Sequence, residues 1–320
     1  MKKSTKEIGG YFSLEINQLY DNIGDDLALN SATNCLRYLI RKEKIIKLYV
    51  PNFICPSVKI ALENENCSII YYDIDSNFVP KTKFKENDYI LYTNYFGIFS
   101  KNIKQLAKTY KNLIVDNAQA FFMPPYGFAS IYSIRKFFGI PDGAIIRFRE
   151  KKISYDNNLD IDISYSNCSH LLKRMDVDAK IGYNDFRLNE QIIENKSVKI
   201  ISNLSKKLFN SINIEQTKQK RLENFYFLHT KLKQSNKFIF ELSNDDAPLF
   251  YPYIIANSKS LKQYLIKNNI FIPTYWNDNY KDDFASYLRD NLIPLPIDQR
   301  YNLDDMKFII DIIKEFCKNE

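Results

Sequence analysis

Apolar and polar residues alternate with two different periods along the first half of the chain. In residues 27–44 (LALNSATNCLRYLIRKEK), Ala32, Leu36, Leu39 and Ile40 recur at three- and four-residue spacing. This predicts a helix, with Asn30 or Ser31 available as its N-cap. Residues 45–51 (IIKLYVP) predict a strand that stops at proline, 57–66 a helix and 67–75 (CSIIYYDID) a second strand. A third strand is predicted at 88–96 (DYILYTNYF), ended by Gly97, then an amphipathic helix at 101–112 and a short buried strand at 113–118 (LIVDNA). Residues 127–133 and 144–150 again read as strands. Strands alternating with helices in this way predict βαβ units and a mostly parallel sheet covered on both faces.

Beyond residue 150 the pattern changes. Residues 155–167 (YDNNLDIDISYSN) are polar and predict a surface excursion, while 189–212 and 214–234 carry long helical patterns. A smaller unit follows, with strands at 248–257 and 270–276 and helices at 260–269 and 303–318. The predicted architecture is α/β: a large domain over residues 1–210 and a smaller C-terminal α+β domain over 211–320. Ligands in open α/β sheets bind outside the carboxyl ends of the strands. Asn94 and Tyr95 end one strand, Asp116 another and Ser133 a third, which makes each a candidate site residue.

Composition narrows the function classes. The 320 residues are 45% hydrophobic and 15% aromatic, enough for a sizeable core. The net charge of +7 is scattered rather than gathered in a stripe, which suits an enzyme of phosphorylated or nucleotide-bearing anions and argues against nucleic-acid binding. Five cysteines, odd in number and without a CxxC pair, predict a reduced cytoplasmic protein. No run approaches the roughly 18 apolar residues of a membrane span, and the start, MKKSTKEIGGYFSLE, carries no apolar segment after its lysines. Two distant histidines and no cysteine cluster argue against a His/Cys metal site.

The chemistry concentrates in LIVDNAQAFF (113–122) and IYSIRKFFG (131–139). Asp116 ends a buried strand, Gln119 follows at the third position, and Lys136 comes later, wedged with Arg135 among apolar residues. A pyridoxal phosphate site needs such parts: an amine to bond the aldehyde, and a carboxylate to keep the pyridine nitrogen protonated. It also needs a hydrogen-bond donor by the ring oxygen and backbone N–H groups at a helix start for the phosphate.

In order and spacing these residues resemble the sugar aminotransferases of the DegT/DnrJ/EryC1/StrS family, within fold type I of the pyridoxal-phosphate enzymes. The family's Asp-x-x-Gln/His, Ser, Lys and acidic-Gly pattern is met by Asp116, Gln119, Ser133, Lys136, Asp142 and Gly143. Ser31-Ala32-Thr33 meets the helix start near the phosphate, and GYNDFRLNEQ (182–191) resembles the segment whose asparagine, here Asn184, reaches the cofactor phosphate of the other subunit. The stacking position falls at Cys55, with Phe53 two residues earlier; either could face the ring. The Ser133–Lys136 interval is short for the family, and a single glycine follows Asp142.

The resemblance implies pyridoxal 5'-phosphate as cofactor, a homodimer, and transfer of an amino group, with glutamate as donor, to a nucleotide-linked keto-sugar in surface polysaccharide or glycoconjugate synthesis. Lys136 and Asp116 would be catalytic. Ala32, Thr33, Phe53, Cys55, Gln119, Ser133 and Asn184 would hold the cofactor, and Asn94, Tyr95 and Arg135 would meet substrate. Two alternatives share parts of the pattern: amino transfer to a non-sugar ketone, and a catalytically silent binder of sugar nucleotides.

Overall fold

The computed structural model describes residues 10–149 and 158–318. Residues 1–9, the start of the predicted surface excursion at 155–157, and Glu150 of the last predicted large-domain strand lie outside the described residues.

The helix predicted within 27–44 starts at its expected N-cap. Leu27–Leu29 form a strand (β1), and Ser31 caps the helix that follows, α1 (Ala32–Lys42), by accepting the Asn34 N–H at 3.1 Å. The LAL triplet has no polar face to expose, and all three residues are buried as a strand. The chain continues through β2 (Lys47–Pro51), α2 (Pro56–Glu63), β3 (Ser68–Tyr72), β4 (Tyr89–Thr93), α3 (Ser100–Thr109), β5 (Leu113–Asp116), β6 (Ala129–Ser133) and β7 (Ala144–Phe148). These strands form one seven-stranded sheet in the order β1-β7-β6-β5-β4-β2-β3. The pairs from β6 to β3 are parallel, whereas β7 runs antiparallel to both β6 and β1.

Two apolar clusters cover the faces of this sheet. Leu36, Leu39 and Ile40 of α1 pack with Leu48, Ile114 and Ile146 on one face, and an aromatic cluster that includes Phe53, Tyr95, Phe96, Phe121 and Trp276 fills the other.

The long helical pattern predicted at 189–212 is broken in the structure. An α-hairpin of α4 (Ser169–Asp176) and α5 (Ala179–Asn195) is followed by an extended link and then by α6 (Asn203–Phe209). Lys196 is extended, and Ile200 in the link bridges to both Leu29 and Ile161. Tertiary pairing of the link overrides a helical period that its side chains satisfy equally well. The same pairing corrects the reading of 158–167 as a solvated excursion, because Asp162, Ser164 and Asn167 are buried there.

Helix α7 (Ile214–Leu232) then leads to β8 (Tyr251–Tyr253), α8 (Ser258–Lys267), α9 (Asp283–Asn291), β9 (Ile293–Leu295) and α10 (Leu303–Lys318). Strands β8 and β9 pair antiparallel, and α7, α8 and α10 bury a third apolar cluster with them. Residues 270–276, predicted as a strand, form no strand. Trp276 and Ile254 join the aromatic cluster on the main sheet, so the C-terminal region packs directly against the face below the strand ends.

Candidate active site

Sheet register sets the candidate residues along one edge. Ala144 pairs with Leu29 on one side and with Ser133 on the other, so the start of α1 and the end of β6 lie at the same end of the sheet. The parallel strands β5, β4 and β2 end there too, at Asp116, Thr93 and Pro51, and Cys55 opens α2 just beyond.

Asp116 is the centre of this edge. Its backbone carbonyl accepts from Asn94 N–H at 2.9 Å, and its carboxylate accepts from Ala118 N–H at 2.9 Å. Burial pushes the Asp116 carboxyl above its ordinary value; the positive charge of Lys136 and the Ala118 N–H oppose that shift. Lys136 and Asp116 therefore face each other electrostatically across the β5–β6 end. Lys136 itself sits half-buried in a turn after β6, closed by hydrogen bonds from Phe137 and Phe138 N–H to the Ile134 carbonyl at 3.1 and 3.0 Å.

The predicted acidic-Gly turn is a structural clamp. Asp142 is fully buried and accepts from the Ser202 hydroxyl at 2.9 Å and from the Ser205 hydroxyl, while Gly143 N–H donates to the Asn30 carbonyl at 2.9 Å. It thus ties α6, the start of α1 and the Lys136 loop together. A second network sets the helix start itself. Asn30 Nδ2 and Lys196 Nζ both donate to Asp162, at 3.0 and 2.8 Å, and Asn34 Nδ2 donates to the Asn30 side chain at 2.8 Å. Ala32 and Thr33 are half-buried in the first turn of α1, where backbone N–H groups have no intrahelical acceptor.

Burial raises the Asp162 carboxyl, but Lys196, Asn30 and the Ile163 N–H outweigh it and hold the group below the usual range. Its contribution is therefore complete above the ordinary carboxylate pKa and is lost as the pH falls through the depressed one. Asp162→Asn is expected to cost about 2 kcal/mol near neutrality, because Lys196 loses its buried partner. The difference from the parent should shrink in acid, as urea midpoints across the pH range would show. An equal gap at all pH values would reject this account.

Other candidates are placed differently from expectation. Tyr95 is fully buried, its hydroxyl donating to the Phe53 carbonyl at 2.9 Å. Asn94 is equally buried and spent on Asn117 Oδ1, at 3.0 Å, and on the Phe99 N–H, at 3.2 Å. Both support the strand end and offer no surface to a substrate. Phe53 points into the aromatic cluster, 4.7 Å from Trp276 between ring centroids, whereas Cys55 is half-exposed. Of the two stacking candidates, Cys55 is on the open side. Arg135 pairs with Glu190 of α5 through both terminal guanidinium nitrogens, Nη1 and Nη2. Asn184 lies exposed on α5.

Gln119 is buried, with Oε1 accepting the Phe96 N–H at 2.9 Å and Nε2 without an acceptor. Asn117 Nδ2 is also unpaired. Two orphaned buried donors beside the Asp116–Lys136 pair suit a group that brings acceptors of its own. Two residues, Gln299 and Arg221, went unnoticed in the sequence, and Tyr275 reads there only as core of the small domain. Gln299 donates to the Phe137 carbonyl at 2.7 Å, Arg221 lies over the Phe137 ring with its guanidinium carbon 4.6 Å from the centroid, and Tyr275 is coupled electrostatically to both Cys55 and Arg221. A signal existed for Arg221: it falls on the buried stripe of α7 with Thr217, Asn224, Phe225 and Leu228.

No family model matches the sequence, and no curated protein matches it. Solved structures do. A DegT DnrJ EryC1 StrS aminotransferase from Brucella abortus is 15% identical, with 91% of this chain and 85% of that one covered at a TM-score of 0.61. The chain has the fold of these aminotransferases. Spr1654 from Streptococcus pneumoniae, solved in a PLP form, shares it at 12% identity over 94% of this chain and 89% of that one, with a TM-score of 0.65. DesI, solved in the presence of its TDP-sugar product, matches at 11% identity over 90% and 79% of the two chains, with a TM-score of 0.60. The edge that carries Asp116, Ser133, Lys136 and the α1 start lies outside the carboxyl ends of the parallel strands, where open α/β sheets bind ligands.

Proposed function

We propose that the protein is a pyridoxal-phosphate-dependent aminotransferase acting on a nucleotide-linked keto-sugar. One observation carries this reading: a buried carboxylate, Asp116, and a half-buried amine, Lys136, are coupled at the ends of neighbouring strands, beside the unpaired donors of Asn117 and Gln119. When bound, the cofactor supplies a ring that accepts electrons from the reacting carbon.

The residues present fit that group. Asp116, whose upward shift by burial is opposed by the positive charge of Lys136, would hold a proton on the ring nitrogen. Lys136 would anchor the aldehyde through Nζ and, once released, would carry the proton to and from the reacting carbon. The first-turn amides of α1 at Ala32 and Thr33, with the Ser133 hydroxyl, receive the phosphate. Cys55 would face the ring, and Gln119 would serve the ring oxygen. Arg135, engaged with Glu190, braces the lysine turn against α5.

Glutamate as amino donor and a glycoconjugate pathway belong to the same reading, supported by the fold shared with sugar aminotransferases, one of them solved with a TDP-sugar product. The positive net charge suits a diphosphate-bearing substrate. A cytoplasmic setting accords with five cysteines, odd in number and without a CxxC pair.

The test is covalent. Borohydride reduction of the protein incubated with pyridoxal phosphate is expected to add the cofactor's mass to the peptide bearing Lys136. A protein that stays unlabelled overturns the reading.

A second copy of the chain completes the site in this reading. The α4–α5 hairpin exposes the apolar residues Leu172, Met175, Ile181, Tyr183 and Leu188, side chains of the kind that mark an interface, and Asn184 is exposed on the same hairpin. Introducing Met175→Asp with Leu188→Asp is expected to convert a dimer into monomers in sedimentation velocity. A parent protein that sediments as a monomer at micromolar concentration excludes the shared site.

A further inference from the structure

The lysines along α3 are partnered unequally. Lys101 pairs with Glu241, and Lys111, just beyond the helix, pairs with Glu86. Lys104 pairs with Asp245 at 2.6 Å. Lys108 is exposed, and its amine has no carboxylate among the described residues. It stands four residues after Lys104, on the same face of α3, where like charges repel. Arg149, just after β7, comes to the same place, exposed and likewise without a side-chain partner among the described residues.

Lys104, Lys108 and Arg149 line a cavity of about 550 Å³, and Tyr126 and Ala107 complete its wall, with no acidic side chain on it among the described residues. Tyr126 is held in place. Its N–H donates to the Ser130 hydroxyl at 3.1 Å, that hydroxyl donates to the Tyr126 carbonyl at 3.0 Å, and the phenol donates to Asp245 at 3.1 Å. The neighbouring carboxylates are spent. Asp245 serves Lys104 and Tyr126, and buried Asp246 accepts from the Ser100 and Ser243 N–H groups at 3.1 and 2.7 Å. Lys218 adds positive charge beside Asp245. The charges of Lys108 and Arg149 are left unmet, and a cleft lined by one sign concentrates the other. This cavity is at the far end of the sheet from Lys136. Ala129, which opens β6, pairs with Phe148 next to Arg149, and the length of β6, about 13 Å, lies between that pair and Ser133.

We propose that this cavity is a second ligand site, for a phosphorylated small molecule of mononucleotide size. A phosphate monoester carries roughly two negative charges near neutrality, which match those that Lys108 and Arg149 leave unmet. Its oxygens suit the planar fork of the Arg149 guanidinium. The volume falls within the roughly 300–1,000 Å³ of small-molecule sites and exceeds what a bare phosphate ion fills. The organic part of the ligand then lies against Ala107 and Tyr126. Neither cofactor nor turnover is needed for binding here, so the site stands apart from the aminotransferase reading.

Amine acylation by an N-hydroxysuccinimide ester, located by peptide mass, reads this site directly. In the full-length protein at fixed ionic strength, adenosine 5'-monophosphate is expected to slow acylation of Lys108 saturably, about tenfold at ten times its dissociation constant, by mass action. Lys101 and Lys111 serve as references on the same stretch of chain and should react at unchanged rates. Arg149→Gln should raise the half-protecting concentration at least about tenfold, the loss of one charge-assisted contact. That variant should melt with the parent, since Arg149 is exposed. Absence of Lys108 protection overturns the proposal. Equal slowing at all three lysines does so too, as does an unchanged half-protecting concentration in Arg149→Gln. Equal protection by inorganic phosphate also overturns it, since the cavity would then hold an ion alone. Protection by phosphatidate-containing vesicles but not by the nucleotide would overturn it as well, making this face a membrane contact.

Discussion

Lys136→Ala is expected to abolish amino transfer while leaving a folded protein. Single-turnover reaction of the cofactor-loaded variant with glutamate should slow by at least about a hundredfold, the lower end of what a positioned acid–base group contributes. Removing both the anchor and the proton carrier argues for a larger loss. The borohydride adduct should vanish with it. The fold should tolerate the change because the apolar residues, Ile134, Phe137 and Phe138, hold the turn, and all three are buried. Loss of the opposing cation leaves burial to push the Asp116 carboxyl further up, which favours its neutral form and limits the cost in stability. Circular dichroism and melting close to the parent, with turnover gone, would separate chemistry from folding. Turnover within a few-fold of the parent would remove Lys136 from the catalytic role.

The chemistry of this edge was more legible in the sequence than its geometry was. Asp116, Ser133 and Lys136 could be read as a group because each ends or follows a strand, and strand ends in parallel sheets converge. Asn94 and Tyr95 satisfied the same rule, yet the structure turns both inward. Strand-end position places a residue at the edge but does not say on which side of the next turn its side chain falls. The Tyr95–Gly97 turn, with Phe96 at φ 61°, rolls those side chains into the core. Phe53 and Cys55 illustrate the same limit two residues apart. Asp142 was visible as part of a turn, but its partners, Ser202 and Ser205, lie about 60 residues later and carry no local signal. Long-range polar pairing also explains why the helical period at 189–212 misled. The link residues from Lys196 to Ser202 are held by contacts to Asp162, Asn30 and Leu29, which no window of neighbouring sequence contains.

Gly97→Ala is expected to be the most destabilising single methyl added to the described glycines near the site. Gly97 has φ +79°, a conformation that costs an L-residue roughly 1–2 kcal/mol. A Cβ there would stand 2.5 Å from the Gln119 carbonyl oxygen and 3.1 Å from that of Ala247. Both obstacles are backbone atoms of different segments, so neither can rotate away. The combined cost should be about 3–5 kcal/mol, in the range reserved for strain at a special backbone geometry, with a fall in Tm of roughly 5–15 °C. The displacement has a direction that matters for function. Pushing the Gln119 carbonyl outward pulls on a residue whose side chain is fixed by the Phe96 N–H and whose neighbours are Asn117 and Asp116. Pyridoxal phosphate affinity should therefore fall together with stability, and it should be measured well below the melting temperature of the variant. Gly139→Ala is the matched control, since its Cβ would meet only Leu171 Cδ2 at 4.0 Å, and it should shift stability by no more than about 0.5 kcal/mol. Equal melting of the two variants would mean that the turn at Gly97 can relax, and that the close approach of β4, the Gln119 segment and Ala247 does not fix the edge on which Asp116 and Lys136 meet.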